Sequence, residues 1–568
     1  MRRTDDALRG RHGRAAGRDV AGRGERRRRG LAHRAGRRRD PGSAGYRIAR
    51  QPRSGGGAGG LAGGGRRGPR CGRRRTPSRR RGGCRSRVQP GARGVAGDRP
   101  GRADRVGGIG ALVVTASYCV VGGGISGLTA AYRLRLAAGA DARITLFEPG
   151  DRLGGVLRTD LVGGQPMELG AEAFVQRRPE MPALLAELGL ADRQRTTSGA
   201  RPLIYSQGRL HPLPTGTVVG IPSSAAAMAG LVDEETVARI DAEPDRPLRW
   251  EPGSDPSVAE LVADRFGEQT VARSVDPLLS GVYAGSSATI GLRAAAPSVA
   301  AALDRGATSL TEAVRQGMPP ATGAPVFGAL DGGYQLLIEE LVRRSRLQWV
   351  PAAVTKLAPG WEVHDDTGAR WHADAVILAI PAARLARLVE GLDVAGTAAA
   401  AARVVSASSA VVALAVPADT PFPQNSGVLV ASGEPLHAKA ITLSSRKWGG
   451  SGDVQLLRLS FGRFGDQVAA TTSDDQFLSW AVEDLATVFG VAVQPVDMRV
   501  QRWIDAMPQY GPGHAALVAQ LRAGLPATLG VAGSYLDGIG VPACIGAAGR
   551  AVTSVIEACP GPAAEVAR

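Results

Sequence analysis

Three glycines and one carboxylate carry the first recognisable chemistry in this chain. Residues 118–127 read YCVVGGGISG, which sets Gly122, Gly124 and Gly127 in G-x-G-x-x-G spacing, with Gly123, Ile125 and Ser126 between them. A backbone that must turn tightly, approach a diphosphate closely and then pack a helix on a strand needs residues without a Cβ at those three places. The helix that opens there offers unpaired N–H groups and a partial positive charge to the phosphates. Glu148 follows about 20 residues past Gly127, where a carboxylate can accept from a ribose 2′-OH. Together these residues describe a dinucleotide cradle.

Such residues act together only if strand, loop, helix and second strand follow in that order. An apolar run at 118–121 precedes the glycines, an alanine- and leucine-rich helical pattern continues to Ala138, and a second apolar run at 144–147 ends on Glu148. The fold class is therefore α/β, with a Rossmann-like unit near residue 115. That unit is expected in pieces: 115–195, 326–390 and 526–568. Residues 179–190 read as a helix with Met181, Leu184, Leu185 and Leu188 on one face. Residues 196–325 read as an inserted, mostly helical domain. Strands are expected at 347–354, 361–364 and 375–379, and a β-rich region, also substrate-binding, at 391–525 with strands at 402–415, 427–431, 454–461 and 498–503. A helix is expected at 474–489. A strand at 529–532, a glycine-bearing turn and a helix at 544–558 would return to the cofactor and close its site.

Charge is distributed unevenly. Residues 1–110 hold 33 Arg, no Lys and 7 acids, so the remainder of the chain is net acidic despite an overall formal charge of +18. With Tyr46 as its one aromatic, the leader (1–112) cannot offset the entropy of ordering and is expected to be disordered. Its Arg-Gly runs could attract nucleic acid or anionic membrane, and a transit peptide is a further reading, though the Ser-rich amphipathic pattern is lacking. We favour a start codon placed too far upstream, with the protein beginning near Val113 or Val114. The acidic body and the leader's lack of interleaved aromatics argue against a nucleic-acid partner. No run of apolar residues is long enough to span a bilayer. Cys71, Cys84, Cys119, Cys544 and Cys559 show no ligand-like spacing, so no metal is expected and a reducing cytoplasm fits.

Further motifs narrow the cofactor and the activity. RLGG at 152–155 and GAEA at 170–173 resemble the second glycine motif of FAD enzymes related to amine oxidases, a continuation that NAD-binding dehydrogenases lack. DPLLSGVYAG (276–285), AAAP (294–297), MPQYGPG (507–513) with His514, and AGSYLDGIGVPAC (532–544) resemble the porphyrinogen oxidases of haem biosynthesis, above all their actinobacterial members, which form coproporphyrin III. The resemblance covers the chain from Tyr118 onward and implies an amine-oxidase-like FAD fold. It implies that the 122–127 loop holds the pyrophosphate and Glu148 the adenosine ribose. Arg152, Gly154 and Gly155 would continue along the cofactor, and Gly170, Ala171, Glu172 and Ala173 would lie beside the flavin. Val354 would contact adenine, Trp503 would stand at the cofactor, and Gly533, Ile539, Gly540 and Val541 would meet its phosphate and isoalloxazine end. Arg201, in GARPLIYSQGRLHPLP, matches an arginine that pairs with a substrate propionate, across a one-residue offset.

The reaction so implied removes six electrons and six hydrogens from the saturated bridges of coproporphyrinogen III, in three two-electron cycles each closed by O2 with release of H2O2. Protoporphyrinogen IX is the alternative substrate, and an amine oxidase is the rival enzyme. Tyr535 stands alone in the final turn, where amine oxidases resemble one another in an aromatic pair, and DPLLSGVYAG argues against a carotenoid desaturase. The bridge hydride goes to the cofactor, so no catalytic acid or base is named, and His211, His437 and His514 are read as structural. Coproporphyrinogen carries four propionates, twice as many as protoporphyrinogen, and asks for a wider, more cationic site; Arg201 and Arg209 are available. Peripheral membrane contact and hand-over to a downstream haem-pathway protein are left open.

Overall fold

A computed structural model of the protein describes residues 115–559 apart from 321, 322, 324 and 451. The arginine-rich leader therefore lies outside the described residues. Five apolar runs spread along the chain assemble into one parallel sheet, in the order Gln348–Val350, Arg143–Phe147, Ser117–Val121, Ala375–Leu378, Leu529–Val531. Tyr118 sits opposite Ile144 on one side and Ala375 on the other. Such strands are buried on both faces, which is why they read as continuous apolar runs. Val120, Leu146 and Ile377 pack against the helices Ile125–Ala138, Gln335–Ser345 and Val541–Ala558. Cys119, Phe147, Val376 and Leu378 face Ala382–Leu388, Ala395–Ala402 and His514–Ala523. Strand order reverses at the central strand Ser117–Val121, and such a switch point leaves a crevice at the C-terminal strand ends.

A seven-stranded sheet stands beside this unit, in the order Asp497–Pro508, Ser406–Pro417, Val454–Phe461, Ala440–Leu443, Gly427–Val430, Leu203–Ser206, Arg209–Pro212. One face buries Val412, Leu414, Leu459 and Phe461 under Phe477 and Leu485 of the helix Asp474–Phe489. That helix is well specified locally. The Ser473 side chain accepts from the Gln476 N–H, Asp474 and Asp475 oppose the N-terminal dipole, and Gly490 ends the helix in the left-handed conformation. A third core gathers the helices between Glu234 and Gly317 around Val262, Phe266, Leu279 and Leu310.

Three sequence expectations change. Leu203–Ser206 and Arg209–Pro212, expected in the helical insert, extend the seven-stranded sheet, because Leu203–Ser206 pairs in parallel with Gly427–Val430. The strand expected at 402–415 is preceded by a helix, Ala395–Ala402, and starts at Ser406; the alanine run there favours helix. The strand expected at 347–354 splits into Gln348–Val350 and Val354–Ala358, since Pro351 has no N–H to give to a ladder.

Candidate functional site

A cavity of about 620 Å³ opens at the switch-point crevice, and the ends of all five parallel strands contribute to its wall: Val121 and Gly122, Phe147 and Glu148, Ala352, Ala379, and Gly533. The glycines of the first loop divide into two roles. A Cβ on Gly122 (φ +108°) would stand 2.3 Å from the Ala379 carbonyl oxygen, and one on Gly127 would stand 1.9 Å from that of Gly122. Gly123 is crowded by Leu153 and Glu148. Gly122 and Gly127 let backbone pack on backbone, and Gly123 lets the Leu153 and Glu148 side chains close on the loop. Gly124 has ordinary extended dihedrals, and a Cβ there meets nothing nearer than Gly155 Cα at 3.9 Å, so its open side faces the cavity.

The helix Ile125–Ala138 starts at this point with no side-chain cap, and Leu128 is the first residue to bond back, to Gly124 O at 2.9 Å. Ile125 and Ser126 line the cavity with their N–H groups unclaimed by the helix. The helix Val541–Ala558 also begins without a side-chain cap, after Gly540, and places Cys544 in the same wall. Two uncapped helix N-termini and an open glycine at one cavity fit a diphosphate. Glu148 is held at the loop: Oε2 accepts the Gly123 N–H at 2.9 Å and Oε1 that of Gly150 at 3.1 Å. Each oxygen keeps a lone pair for a hydroxyl. Val354 lines the same cavity.

The second glycine motif forms a junction behind Val156. The Arg152 guanidinium donates to Gly155 O (2.6 Å) and Leu157 O (3.0 Å) and lies 5.9 Å over the Trp503 ring; burial lowers its pKa. Gly154 (φ +112°) lets Ile338 approach, and Gly155 lines the cavity. Trp503 Nε1 donates to Leu169 O at 2.8 Å, and a Cβ on Gly170 would stand 1.7 Å from Val156 O and 3.2 Å from the Trp503 ring. Ala171 gives its N–H to Val156 O, and Ala173 is half-buried. Glu172 accepts from Lys447 Nζ (2.5 Å) and Trp448 Nε1 (3.0 Å). Burial pushes its pKa upward, but the Lys447 and Arg458 charges outweigh that and bring it down to about 2. Residues 170–173 and Trp503 thus back the cavity wall without lining it.

At the far end Gly533, Ser534 and Tyr535 line the cavity. Ile539 leans toward the helical core, while Gly540 and the buried Val541 start the last helix. Sequence reasoning missed what holds this turn. The Tyr510 hydroxyl accepts the Gly538 N–H (3.0 Å) and donates to Ser534 O, its ring stacks on His514 at 3.9 Å, and His514 Nε2 donates to Tyr535 O (2.9 Å). Burial lowers the His514 pKa and keeps the ring neutral. A Tyr and a His four residues apart ahead of a glycine-rich turn was the available signal. Arg384, Arg387 and Asp505 also line the cavity and were not anticipated. Arg201 does not; it is exposed, and its carbonyl accepts the Ser426 N–H at 3.1 Å. His211 and His437 contact Ser206 O and Asp484. Among the described residues no group of His, Cys, Asp and Glu could hold a metal, and no helix is long and apolar enough to cross a membrane.

Comparison with known proteins adds three findings. The model of the flavin containing amine oxidoreductases matches residues 125–556. Coproporphyrinogen III oxidase of Mycobacterium tuberculosis is 77% identical over 442 residues, covering 78% of this chain and 98% of that protein, and its Mycobacterium leprae counterpart is 75% identical over 442 residues. A crystal structure from Exiguobacterium sp. 255-15, provisionally described as a protoporphyrinogen oxidase, superposes with a TM-score of 0.70 at 28% identity, covering 78% of this chain and 98% of that one.

Proposed function

The chain belongs to the flavin containing amine oxidoreductase family, within its coproporphyrinogen III oxidase branch, and from that premise we propose that it oxidises coproporphyrinogen III to coproporphyrin III with FAD as cofactor and O2 as acceptor. The observation that carries the reading is the 77% identity across 98% of a coproporphyrinogen III oxidase. The protoporphyrinogen reading rests on the more distant 28%.

FAD, when bound, accepts the hydride of a saturated bridge carbon. The residues do the rest. The open side of Gly124 and the N–H groups of Ile125 and Ser126 take the diphosphate, Glu148 the ribose, and the Val354 backbone the adenine. Trp503, held between Arg152 and Gly170, stiffens the wall where the ring system would lie. Gly533 to Val541 close the cavity, clamped by Tyr510 and His514. Arg201 is retained as a propionate partner beside the seven-stranded sheet. Among the described residues Cys119, Cys544 and Cys559 are free thiols, which fits the cytoplasmic location expected from the sequence. The test is anaerobic: coproporphyrinogen III should bleach the yellow flavin band of the holoprotein, and protoporphyrinogen IX should do so more slowly. A band that neither substrate bleaches removes the proposal.

A further inference from the structure

One wall of the cavity is built by a helix that the dinucleotide motif does not include. The strand Ala375–Leu378 ends against the first glycine loop, where the Ala379 carbonyl oxygen stands 2.3 Å from a Cβ placed on Gly122. After Ile380 and Pro381 the chain enters the helix Ala382–Leu388. Its faces differ in what they meet. Leu385 is buried in the core that also holds Leu357 and packs Val354, which sets the helix beside the strand Val354–Ala358. Arg384, Arg387 and Leu388, three and four residues apart, share the face that lines the cavity.

Both arginines are exposed, and among the described residues neither side chain has a hydrogen-bond or ion-pair partner. Among the described residues they are also the only cationic side chains lining the cavity, whose other charged residues are Glu148 and Asp505. Those two carboxylates are fixed by neighbours. Glu148 accepts from the Gly123 and Gly150 N–H groups, and Asp505 Oδ1 accepts the Ser408 hydroxyl at 3.3 Å. Arg152 stands behind the wall, its guanidinium engaged by the carbonyls of Gly155 and Leu157. Without Arg384 and Arg387, a diphosphate would meet two carboxylates and no cationic side chain. The uncapped helix N-termini orient donors toward it, but each carries only about half an elementary charge.

We infer that Arg384 and Arg387 bind the diphosphate of FAD, closing guanidinium donors on its anionic oxygens from the helix wall. This assignment rests on the FAD reading above. The nucleotide is the partner because the helix adjoins the Gly122 loop at its start and the Val354 strand along its length, the places that diphosphate and adenine take in that reading. The pair holds the cofactor and has no part in the oxidation itself.

The test uses the full chain, deflavinated and titrated with FAD by quenching of flavin fluorescence, with ADP and adenosine as competitors. The double variant Arg384→Gln, Arg387→Gln keeps the helix and removes both charges. It should raise Kd for FAD about tenfold or more, weaken ADP by a similar factor and leave adenosine unchanged. Added salt should weaken FAD binding less in this variant than in wild type. Reloaded with saturating FAD, it should oxidise coproporphyrinogen III with unchanged KM. An unchanged Kd for FAD overturns the assignment, and a raised KM beside that unchanged Kd would give the pair to the substrate's carboxylates instead. Wild type that binds neither FAD nor ADP overturns the cofactor reading, not the arginines alone. If the double variant unfolds early in urea, Arg384→Glu decides: the reversed charge should weaken FAD and ADP and spare adenosine, and equal weakening of all three overturns the proposal.

Discussion

Gly124→Ala separates the cofactor cradle from the fold that carries it. Gly124 has φ −72° and ψ 178°, which any residue adopts, and an added Cβ meets only Gly155 Cα at 3.9 Å. The apoprotein should therefore unfold at the same denaturant concentration as wild type, or gain the ~0.4–1 kcal/mol that Gly→Ala gives at a compatible position. The methyl group would, however, fill the open side of Gly124 that faces the cavity, where the proposed diphosphate contact lies. Forcing one extra carbon into a well-packed contact costs about 1–3 kcal/mol, or roughly 5- to 150-fold in Kd for FAD. Gly127→Ala is the counterpart, since its Cβ would lie 1.9 Å from the Gly122 carbonyl oxygen and backbone must move to admit it. That variant should lose both stability and flavin. Calorimetric titration of deflavinated protein with FAD, paired with urea unfolding of the same samples, measures both quantities. Gly124→Ala binding FAD with unchanged Kd would refute the cradle, and Gly127→Ala with wild-type stability would refute the packing argument.

Other outcomes follow from the same geometry. Tyr510→Phe deletes the bonds to Gly538 N–H and Ser534 O, about 1 kcal/mol each, and should speed flavin dissociation measured by fluorescence release; an unchanged rate would separate Tyr510 from the closing turn. Because Glu172 is brought from 4.5 down to about 2 in the folded protein, its stabilising contribution is fully present above pH 4.5 and fades as pH falls toward 2. Glu172→Gln should therefore show a shallower loss of stability in that window in acid unfolding curves. Arg201→Ala should raise KM for coproporphyrinogen III while leaving flavin content intact, and an unchanged KM would remove it from the substrate's partners. Deleting residues 1–110 should leave flavin content and oxidase activity unchanged, since the family match lies within 125–556.

The parallel unit was legible because each of its devices is local. An apolar run, Cβ-free positions and a following acid need no knowledge of the remaining chain, and Ser117–Val121 with Gly122–Gly127 and Glu148 folds accordingly. The mixed sheet was less legible because its order joins strands far apart in sequence. Nothing in LIYS at 203–206 announces a parallel partner at Gly427–Val430. Tyr510 and His514 were visible as residues, yet their grip on the 534–538 turn depends on a contact between distant segments.

Turnover in air tests the proposed activity most directly. Purified holoprotein given coproporphyrinogen III and, separately, protoporphyrinogen IX should form coproporphyrin III faster than protoporphyrin IX, well above the uncatalysed rate, with three H2O2 per porphyrin. Porphyrin formation no faster than without protein, or a preference for protoporphyrinogen IX, would contradict it.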